Sequence, residues 1–208
     1  MSPFAHFLDV WNRCAHLSLI HAYVATNTTP ILQPDEILRA EWVARVSALD
    51  LYVHELVAQR MLEIFRGTRQ PSPKYSKFEI SNEIMGRIRA AESEHEAEAA
   101  FDFEVRRQLG LMTFQEPEKI ADGIRLVSLV ELWNGVALNQ GATEQTKQAK
   151  AKELKSTLSA IVIRRNKIAH EGDLQPTVPR IPWAISIQDT QTVKQFIADL
   201  VNSIEAVV

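Results

Sequence analysis

The sequence predicts an all-α protein, a single-domain bundle of long antiparallel helices. Apolar residues recur at spacings of three and four along most of the chain, which is the period of a helix with one buried face. The clearest series is Leu38, Trp42, Val46, Leu49, Val53 and Leu56. Alternation typical of a strand occurs only at Trp183, Ile185 and Ile187, and one short strand would lack a partner. The 208 residues and 46% hydrophobic content suffice for one core.

The N-terminal part of the chain is predicted to hold two helices. The first covers residues 3–25, with Ser2 as its N-terminal cap. Residues 26–34 are rich in Thr, Asn and Pro and form a loop. The second and longest helix covers residues 35–66, because the apolar series runs through it and Gly67 then supplies a stop.

Three helices are predicted in the middle of the chain. One covers residues 76–89, where the first residue and Glu79 have the spacing of a capping box. Another covers 92–109, with an acidic start and a following glycine. The third covers 118–138 and is expected to break near Gly123.

The C-terminal part is predicted to contain a basic helix, an extended segment and a closing helix. The basic helix covers 144–171 and ends at Gly172. Residues 174–188 contain three prolines, which favour an extended connection. The closing helix covers 189–207, with Asp189 as its cap.

Composition restricts the class of protein. The formal net charge is −3, so the chain as a whole is not of the basic type that binds nucleic acid through its overall charge. The single cysteine, Cys14, fits a reducing compartment, and the start of the chain lacks the features of a signal peptide. No apolar run approaches the length of a membrane span. We therefore expect a cytoplasmic protein that does not bind membranes. The lysines and arginines of the basic helix could simply form a solvated face.

Common catalytic and cofactor motifs are absent from the sequence. There is no glycine-rich phosphate loop, no GxSxG elbow and no CxxC pair. The run from Glu94 to Glu96 brackets a histidine, but neighbours on a helix point in different directions and cannot share a metal. Cys14 fits a small apolar core residue. We therefore predict neither a cofactor nor a metal.

The residues with the strongest chemical potential lie near the end of the basic helix. Arg165 falls on the apolar stripe between Ile161 and Ile168, where a guanidinium is costly unless it meets an anion or lies in a wet cleft. Asn166 and His170 are four apart and so share one face. Two structural alternatives remain open: Arg165 could pair with an internal carboxylate, and basic residues at a helix end complement the helix dipole.

An arginine, an amide and a histidine without a metal suit cleavage of RNA. The 2′-hydroxyl is an internal nucleophile, so the protein needs only proton transfer and stabilisation of charge. His170 could act as acid or base, Arg165 could stabilise the phosphorane, and Asn166 could orient the phosphate or His170. One helix supplies one histidine, so a twofold homodimer that faces two motif helices would complete the site.

Two further groups of residues could assist this cluster. On the second helix, Asp50 and His54 lie four apart with Glu55 adjacent, although His54 could equally be a surface histidine or a satisfied core histidine. Positive side chains on the basic helix could bind RNA phosphates. These are Arg164, Lys167 and Lys155.

The string Arg165-Asn166-Lys167-Ile168-Ala169-His170 resembles the Rx4-6H motif of the HEPN superfamily. The flanking sequence is similar to the RiboL-PSP-HEPN-like branch in several places. These are residues 47–56, 132–133, 161–166 and 170–173, and the closing helix after a proline-rich segment. The resemblance covers about residues 42–208, and residues 1–34 add an N-terminal helix and loop to a single domain of 1–208.

The resemblance implies an all-α bundle that dimerises through the motif face. Many such domains are metal-independent endoribonucleases of toxin–antitoxin or phage-defence systems. By position, Arg165 and His170 would be catalytic, with Asn166 as the polar residue after the arginine. The products would carry 2′,3′-cyclic phosphate and 5′-hydroxyl ends, and an antitoxin protein is a possible partner.

One position departs from part of the family. HEPN toxins that are silenced by AMPylation carry a tyrosine two residues after the motif histidine, and here that position is Gly172. Other members bind RNA or nucleotides without cutting, or act as interaction scaffolds. Two alternatives to an enzyme therefore stay open: a non-catalytic RNA- or nucleotide-binding module and a scaffold.

Overall fold

A computed structural model describes residues 1–208 as eight α-helices without a β-strand. The predicted all-α class is therefore confirmed. The helices are α1 (Pro3–Asn27), α2 (Asp35–Phe65), α3 (Asn82–Ala90), α4 (Glu94–Leu109), α5 (Pro117–Ile124), α6 (Leu132–Asn139), α7 (Lys147–Glu171) and α8 (Ile187–Val207). Two single 3₁₀ turns lie at Pro30–Leu32 and Tyr75–Lys77. None of the helices is long and apolar enough to span a membrane.

Helix α2 is the central element of the bundle. It packs against α1, α4, α5, α7 and α8, and its middle turns are buried on almost every side. The predicted apolar stripe from Leu38 to Leu56 is confirmed as buried, and Tyr52 and Val57 on other faces are buried as well. A helix that is enclosed on most sides gains far more from burial than its modest amphipathic pattern suggests.

Helix α1 is joined to α2 by apolar packing and by a buried ion pair. Arg45 and Glu41 are almost fully buried and pair at 2.9 Å. The guanidinium of Arg45 lies 4.1 Å from the ring centroid of Trp11 and donates to the Trp11 carbonyl at 2.8 Å. Ser18 donates to Glu41 at 2.6 Å. Because both charges have several partners, the pair fixes how α1 lies on α2.

The predicted helix over 76–89 begins later than expected, at α3. The spacing of a capping box led to the early start, but Ser72 holds residues 75–77 in a 3₁₀ turn by accepting from Tyr75 N at 3.0 Å. Phe78 is then extended. The cap of α3 is Ser81, which accepts from Ile84 N at 3.3 Å. The hydrogen bond to the Ser72 hydroxyl therefore favours a separate turn at residues 75–77, and α3 begins only at Asn82.

The predicted helix over 118–138 is two helices, α5 and α6. The expected break is present but lies just after Gly123. The carbonyls of residues 125 and 126 accept from Ser72 Oγ at 2.9 and 2.8 Å, and the Val127 carbonyl accepts from Arg69 Nε at 3.1 Å. Side chains of the loop after α2 thus take the place of the helical amide donors at this turn.

The C-terminal third forms one side of the bundle. Helix α6 packs against α7 and α8, and both long helices contact α2. Between them residues 174–186 are irregular, with a single bridge from Leu174 to Pro182. The predicted extended connection is confirmed. Helix α8 begins at Ile187 rather than at Asp189, because Ser186 is the cap and Asp189 completes a capping box with it.

Candidate functional site

The last three turns of α7 leave the core of the bundle. Ile161 and Val162 are buried, Arg165 and Asn166 are part-buried, and His170 is exposed. Arg165 therefore lies where the buried stripe of α7 reaches the surface. The change from apolar to polar along one helix places three chemically active side chains at the border between core and solvent.

Arg165 has no carboxylate partner. Its Nη1 donates to Asn166 Oδ1 at 3.0 Å, which is the only hydrogen bond of the guanidinium. Its Nε is enclosed and has no acceptor. The alternative in which Arg165 pairs with an internal carboxylate is therefore not realised in this structure. A part-buried guanidinium with unused donors is prepared to bind an anion.

His170 lies in the last turn of α7 with no hydrogen bond or ion pair. In a helix of 3.6 residues per turn, Asn166 and His170 lie about 40° apart around the axis, whereas Arg165 and His170 lie about 140° apart. The bond from Arg165 to Asn166 draws the guanidinium toward the face that carries His170. Arg165 and His170 of one chain make no direct contact.

The predicted stop at Gly172 is confirmed. Gly172 adopts the left-handed conformation with φ of 66°, and the backbone amide of Asp173 donates to the Lys167 carbonyl at 3.0 Å. A residue with a Cβ would be strained at this φ. The helix therefore ends one residue after His170, at Glu171, and the chain then turns back toward α2.

A buried carboxylate holds the end of α7 against α2. The Asp173 side chain is 1% exposed, and its Oδ2 accepts from Arg39 Nε and from Arg164 Nη2, both at 3.2 Å. The guanidinium of Arg164 also lies 5.0 Å from the ring centroid of Trp42, and Trp42 Nε1 donates to the Ile161 carbonyl at 3.1 Å. Two positive charges thus converge on one buried carboxylate, whose Oδ1 has no hydrogen-bond partner. Removal of the carboxylate would leave the buried charge of Arg39 without its buried partner, which is strongly destabilising.

The sequence analysis did not find Arg39 and Asp173 as partners. They are 134 residues apart, and no local pattern joins them. A signal was present for each: Arg39 is next to the first residue of the apolar stripe, and Asp173 directly follows a helix-ending glycine. Either position makes a charged side chain a candidate for burial.

The three candidates on α2 lie in other networks. Asp50 accepts from the backbone of Phe114 and from Gln115 Nε2 at 3.0 Å. His54 lies 3.5 Å from Asp50 and has its ring centroid 4.6 Å from that of Phe114. Glu55 pairs with Arg106 of α4 at 2.7 Å. These contacts fasten α4 and the loop after it to α2.

The structure does not bring these three residues to the end of α7. Trp42 contacts α7 at Ile161, and His54 lies twelve residues further along α2, a distance of about 18 Å at 1.5 Å per residue. The contact between Arg39 and Asp173 shows that the end of α7 lies in the opposite direction along α2. Asp50, His54 and Glu55 therefore have contacts that explain them as parts of the fold.

The three candidate phosphate-binding side chains have different surroundings. Arg164 is committed to Asp173 and to the Ala184 carbonyl at 2.7 Å. Lys155 lies 3.5 Å from Glu118 in a groove that also contains Asn166. Lys167 is exposed and has no partner. Lys167 is thus the one of the three without an ion-pair partner.

No group of three or more His, Cys, Asp or Glu side chains is arranged to hold a metal ion. Comparison of the chain with protein-family models, curated proteins and solved structures gives no match. The groups that this site offers for chemistry are Arg165, Asn166 and His170. Together they offer one unpaired positive charge, one amide and one accessible imidazole.

Proposed function

We propose that this protein is a metal-independent endoribonuclease that cleaves single-stranded RNA in the cytoplasm as a homodimer. One observation carries the proposal: Arg165 is part-buried at the end of α7 without a carboxylate partner, beside Asn166 and on the same helix end as the exposed His170. The resemblance of this string to the Rx4-6H motif of the HEPN superfamily supports the same activity.

The proposed reaction uses the 2′-hydroxyl of the substrate as its nucleophile. One imidazole accepts the proton of that hydroxyl while its oxygen forms a bond to phosphorus. The bond from phosphorus to the 5′-oxygen breaks, and a second imidazole gives a proton to the leaving oxygen. The products are a 2′,3′-cyclic phosphate and a 5′-hydroxyl. Arg165 stabilises the additional negative charge of the phosphorane, and Asn166 holds the guanidinium in place.

The need for two imidazoles leads to the homodimer. Each α7 carries one histidine in the motif, and Arg165 lies about 140° around the helix from it. A twofold axis near the end of α7 would place the Arg165 and His170 of both copies around one cleft. The shared cleft would also give the unused donors of Arg165 an anionic partner, the scissile phosphate.

The biological setting that we propose is a toxin–antitoxin or phage-defence system, with an antitoxin protein as a possible partner. A ribonuclease of this kind needs a form of control. Control by AMPylation of a tyrosine after the motif is not part of the proposal, because Gly172 occupies that position.

The proposal is tested by incubating the purified protein with single-stranded RNA in excess EDTA. We expect cleavage by the wild type and at least about a hundredfold slower cleavage by Arg165→Ala and by His170→Ala, since each removes a group that acts in the transition state. Product ends are checked by labelling with a polynucleotide kinase, which accepts a 5′-hydroxyl directly.

Matched control variants separate the site from general effects of charge. Arg89→Ala and His95→Ala remove an exposed arginine and an exposed histidine elsewhere in the chain, and both should cleave at the wild-type rate. Cleavage that survives in Arg165→Ala and His170→Ala, or that stops when EDTA is added, would contradict the proposed mechanism.

A second candidate function is RNA or nucleotide binding without cleavage. A groove along α7 favours it, because Lys152, Lys155, Ser156 and Ser159 lead along one face to Asn166. Glu116 and Glu118 also line this groove, and Glu118 pairs with Lys155. This alternative predicts salt-sensitive binding of uncut RNA. In the scaffold alternative the cluster is a buried polar network, and His170→Ala would lower stability. This alternative has less support, because His170 is exposed without a partner and its replacement should leave stability unchanged.

A further inference from the structure

A pocket lies between α7 and the segment that follows it, next to the candidate site. It has a volume of about 370 Å³ and is lined mainly by two surfaces. One is a face of α7 that contains Ile163 and Lys167, and the other contains Trp183 and Ala184. Lys167 lies about 60° around the helix from His170 and one turn before it. The pocket is therefore beside the face of α7 that carries His170.

Trp183 is the only well-exposed tryptophan of the protein. Residue Trp183 is 42% exposed, whereas the other three tryptophans are buried. Exposure does not arise from a loose loop. The Trp183 amide donates to the Asp173 carbonyl at 2.7 Å, and its own carbonyl accepts from Arg39. The indole is thus presented to solvent on a backbone that is fixed on both sides.

The charges at this pocket are those that a phosphate backbone requires. Arg164 and Lys167 contribute two positive charges to its lining, against one negative charge from the buried Asp173. Asp173 is already paired with Arg39 as well as Arg164. Lys167 has no anionic partner in the chain. An exposed apolar ring beside an unpaired ammonium suits a ligand with a flat face and a negative charge.

We propose that Trp183 is a substrate-binding residue on which an unpaired nucleobase of single-stranded RNA stacks, while Lys167 contacts the adjoining phosphate. This inference rests on the proposed function, because it places the base on the side of α7 that carries His170, one of the groups that act on the scissile phosphate. Proteins hold single-stranded nucleic acid by stacking bases on aromatic side chains beside positive charges. Bases of a duplex are already stacked on one another and are not available, so the pocket selects single strands.

The test uses wild-type protein and a single-stranded 2′-O-methyl oligoribonucleotide, which lacks the free 2′-hydroxyl and so cannot be cut by the proposed reaction. Tryptophan emission is followed during titration. We expect quenching, because the one exposed indole is covered while the other three are buried. Because neither Trp183→Ala nor Trp183→Phe keeps that indole, their affinities are compared with that of the wild type by the anisotropy of a fluorescently labelled form of the same oligonucleotide. Trp183→Ala should weaken binding about tenfold, whereas Trp183→Phe, which keeps a ring, should lose much less.

Ile181→Ala is the matched control, since it removes an exposed apolar side chain from the same segment outside the pocket. It should bind as the wild type does. Absence of quenching, or equal affinity for Trp183→Ala and the wild type, overturns the stacking site. Quenching that depends on protein concentration without the oligonucleotide also overturns it, because a second copy then covers the indole.

Cleavage of unmodified RNA by the same preparation is measured separately on a gel. If Trp183 does not bind the base, cleavage should still depend on Arg165 and His170, and only the stacking site is contradicted. If the protein binds through Trp183 but does not cut RNA, only the proposed function is contradicted. The two failures are thus distinguishable.

Discussion

At the scale of single residues, Asp173 determines where the end of α7 lies. It is a carboxylate in the interior, at a positive φ of 54°, and two arginines from different helices converge on it. Aspartate tolerates this backbone conformation better than most residues. The position of His170, three residues earlier, therefore depends on an ion-pair network as well as on the packing of Ile168 against the core.

Replacement of Asp173 by asparagine should destabilise the fold by about 2–3 kcal/mol, because Arg39 and Arg164 would keep their charges without a buried counter-charge. Asparagine keeps the shape and tolerates the same φ, so the change isolates the charge. Urea unfolding measures the effect. Asp9→Asn removes a carboxylate from an exposed pair with Arg13, and we expect almost no change there. Equal effects of the two substitutions would contradict the role of the buried Asp173 carboxylate.

The residues of the candidate site were easier to predict than the residues that hold the end of α7 in place. Arg165, Asn166 and His170 could be selected from spacing, because the period of a helix is a local property. Arg39, Asp173 and Trp183 could not be placed together, because their contact depends on how the chain returns after Gly172. Spacing also could not show that Asp50 and His54 lie away from the motif. It predicts which residues share one face of a helix, but not which other helix packs against that face.

At the scale of helices, boundaries with one dominant local signal were predicted well. Ser2 caps α1 as expected and accepts from Ala5 N at 3.1 Å, and Gly172 ends α7. Boundaries that depend on distant side chains were missed. The turn after α5 is stabilised by Arg69 and Ser72, more than fifty residues earlier, and no local pattern contains that information.

Helix α4 gives a prediction for the dependence of stability on pH. Hydrogen bonds from Arg107 and then Gln108 lower the pKa of the buried Glu104 carboxyl to about 2. Since the pKa in the unfolded chain is about 4.3, this stabilisation is complete above that value and is lost as the pH falls toward 2. The thermal midpoint should therefore fall between about pH 4.5 and pH 2.

Glu104→Gln should lower the midpoint at neutral pH and make the fall in acid shallower, because the titrating group is gone. Glu153→Gln is the matched control, since that carboxylate is exposed on α7, and it should keep the steep fall of the wild type. An identical acid profile for Glu104→Gln and the wild type would show that Glu104 contributes nothing to this transition.

At the scale of the whole molecule, the feature that bears on function is the place where α7 leaves the core. The net charge of −3 gives no indication of a nucleic-acid substrate. On α7, four of the seven lysines and arginines are in ion pairs, and Lys152, Arg165 and Lys167 are not. Helices α2, α5 and α6 pack against α7 and hold its body in place, so its last turns extend from a firm scaffold. In the proposed dimer, a second copy would meet α7 where its apolar stripe reaches the surface at Arg165.

The all-α class and most helices followed from hydrophobic periodicity, which one chain contains in full. A dimer interface could not be predicted in the same way, because residues that face a partner have the same pattern as residues that face the core. The Rx4-6H resemblance supplied the expectation of a dimer. Arg165 is the residue whose surroundings would differ most between a single chain and the proposed dimer, since its unused guanidinium donors would bind the scissile phosphate there.

In the proposed mechanism, two copies of the chain build one catalytic cleft, and a mixing experiment measures whether both histidines of that cleft are required. Wild-type protein is equilibrated with an equal amount of His170→Ala protein, and RNA cleavage in EDTA is measured at constant total concentration. If both histidines are needed, random pairing leaves about a quarter of the dimers intact, so activity should fall to about a quarter of that of the wild type alone. A fall to only one half, or no cleavage by the wild type itself, would contradict the shared cleft.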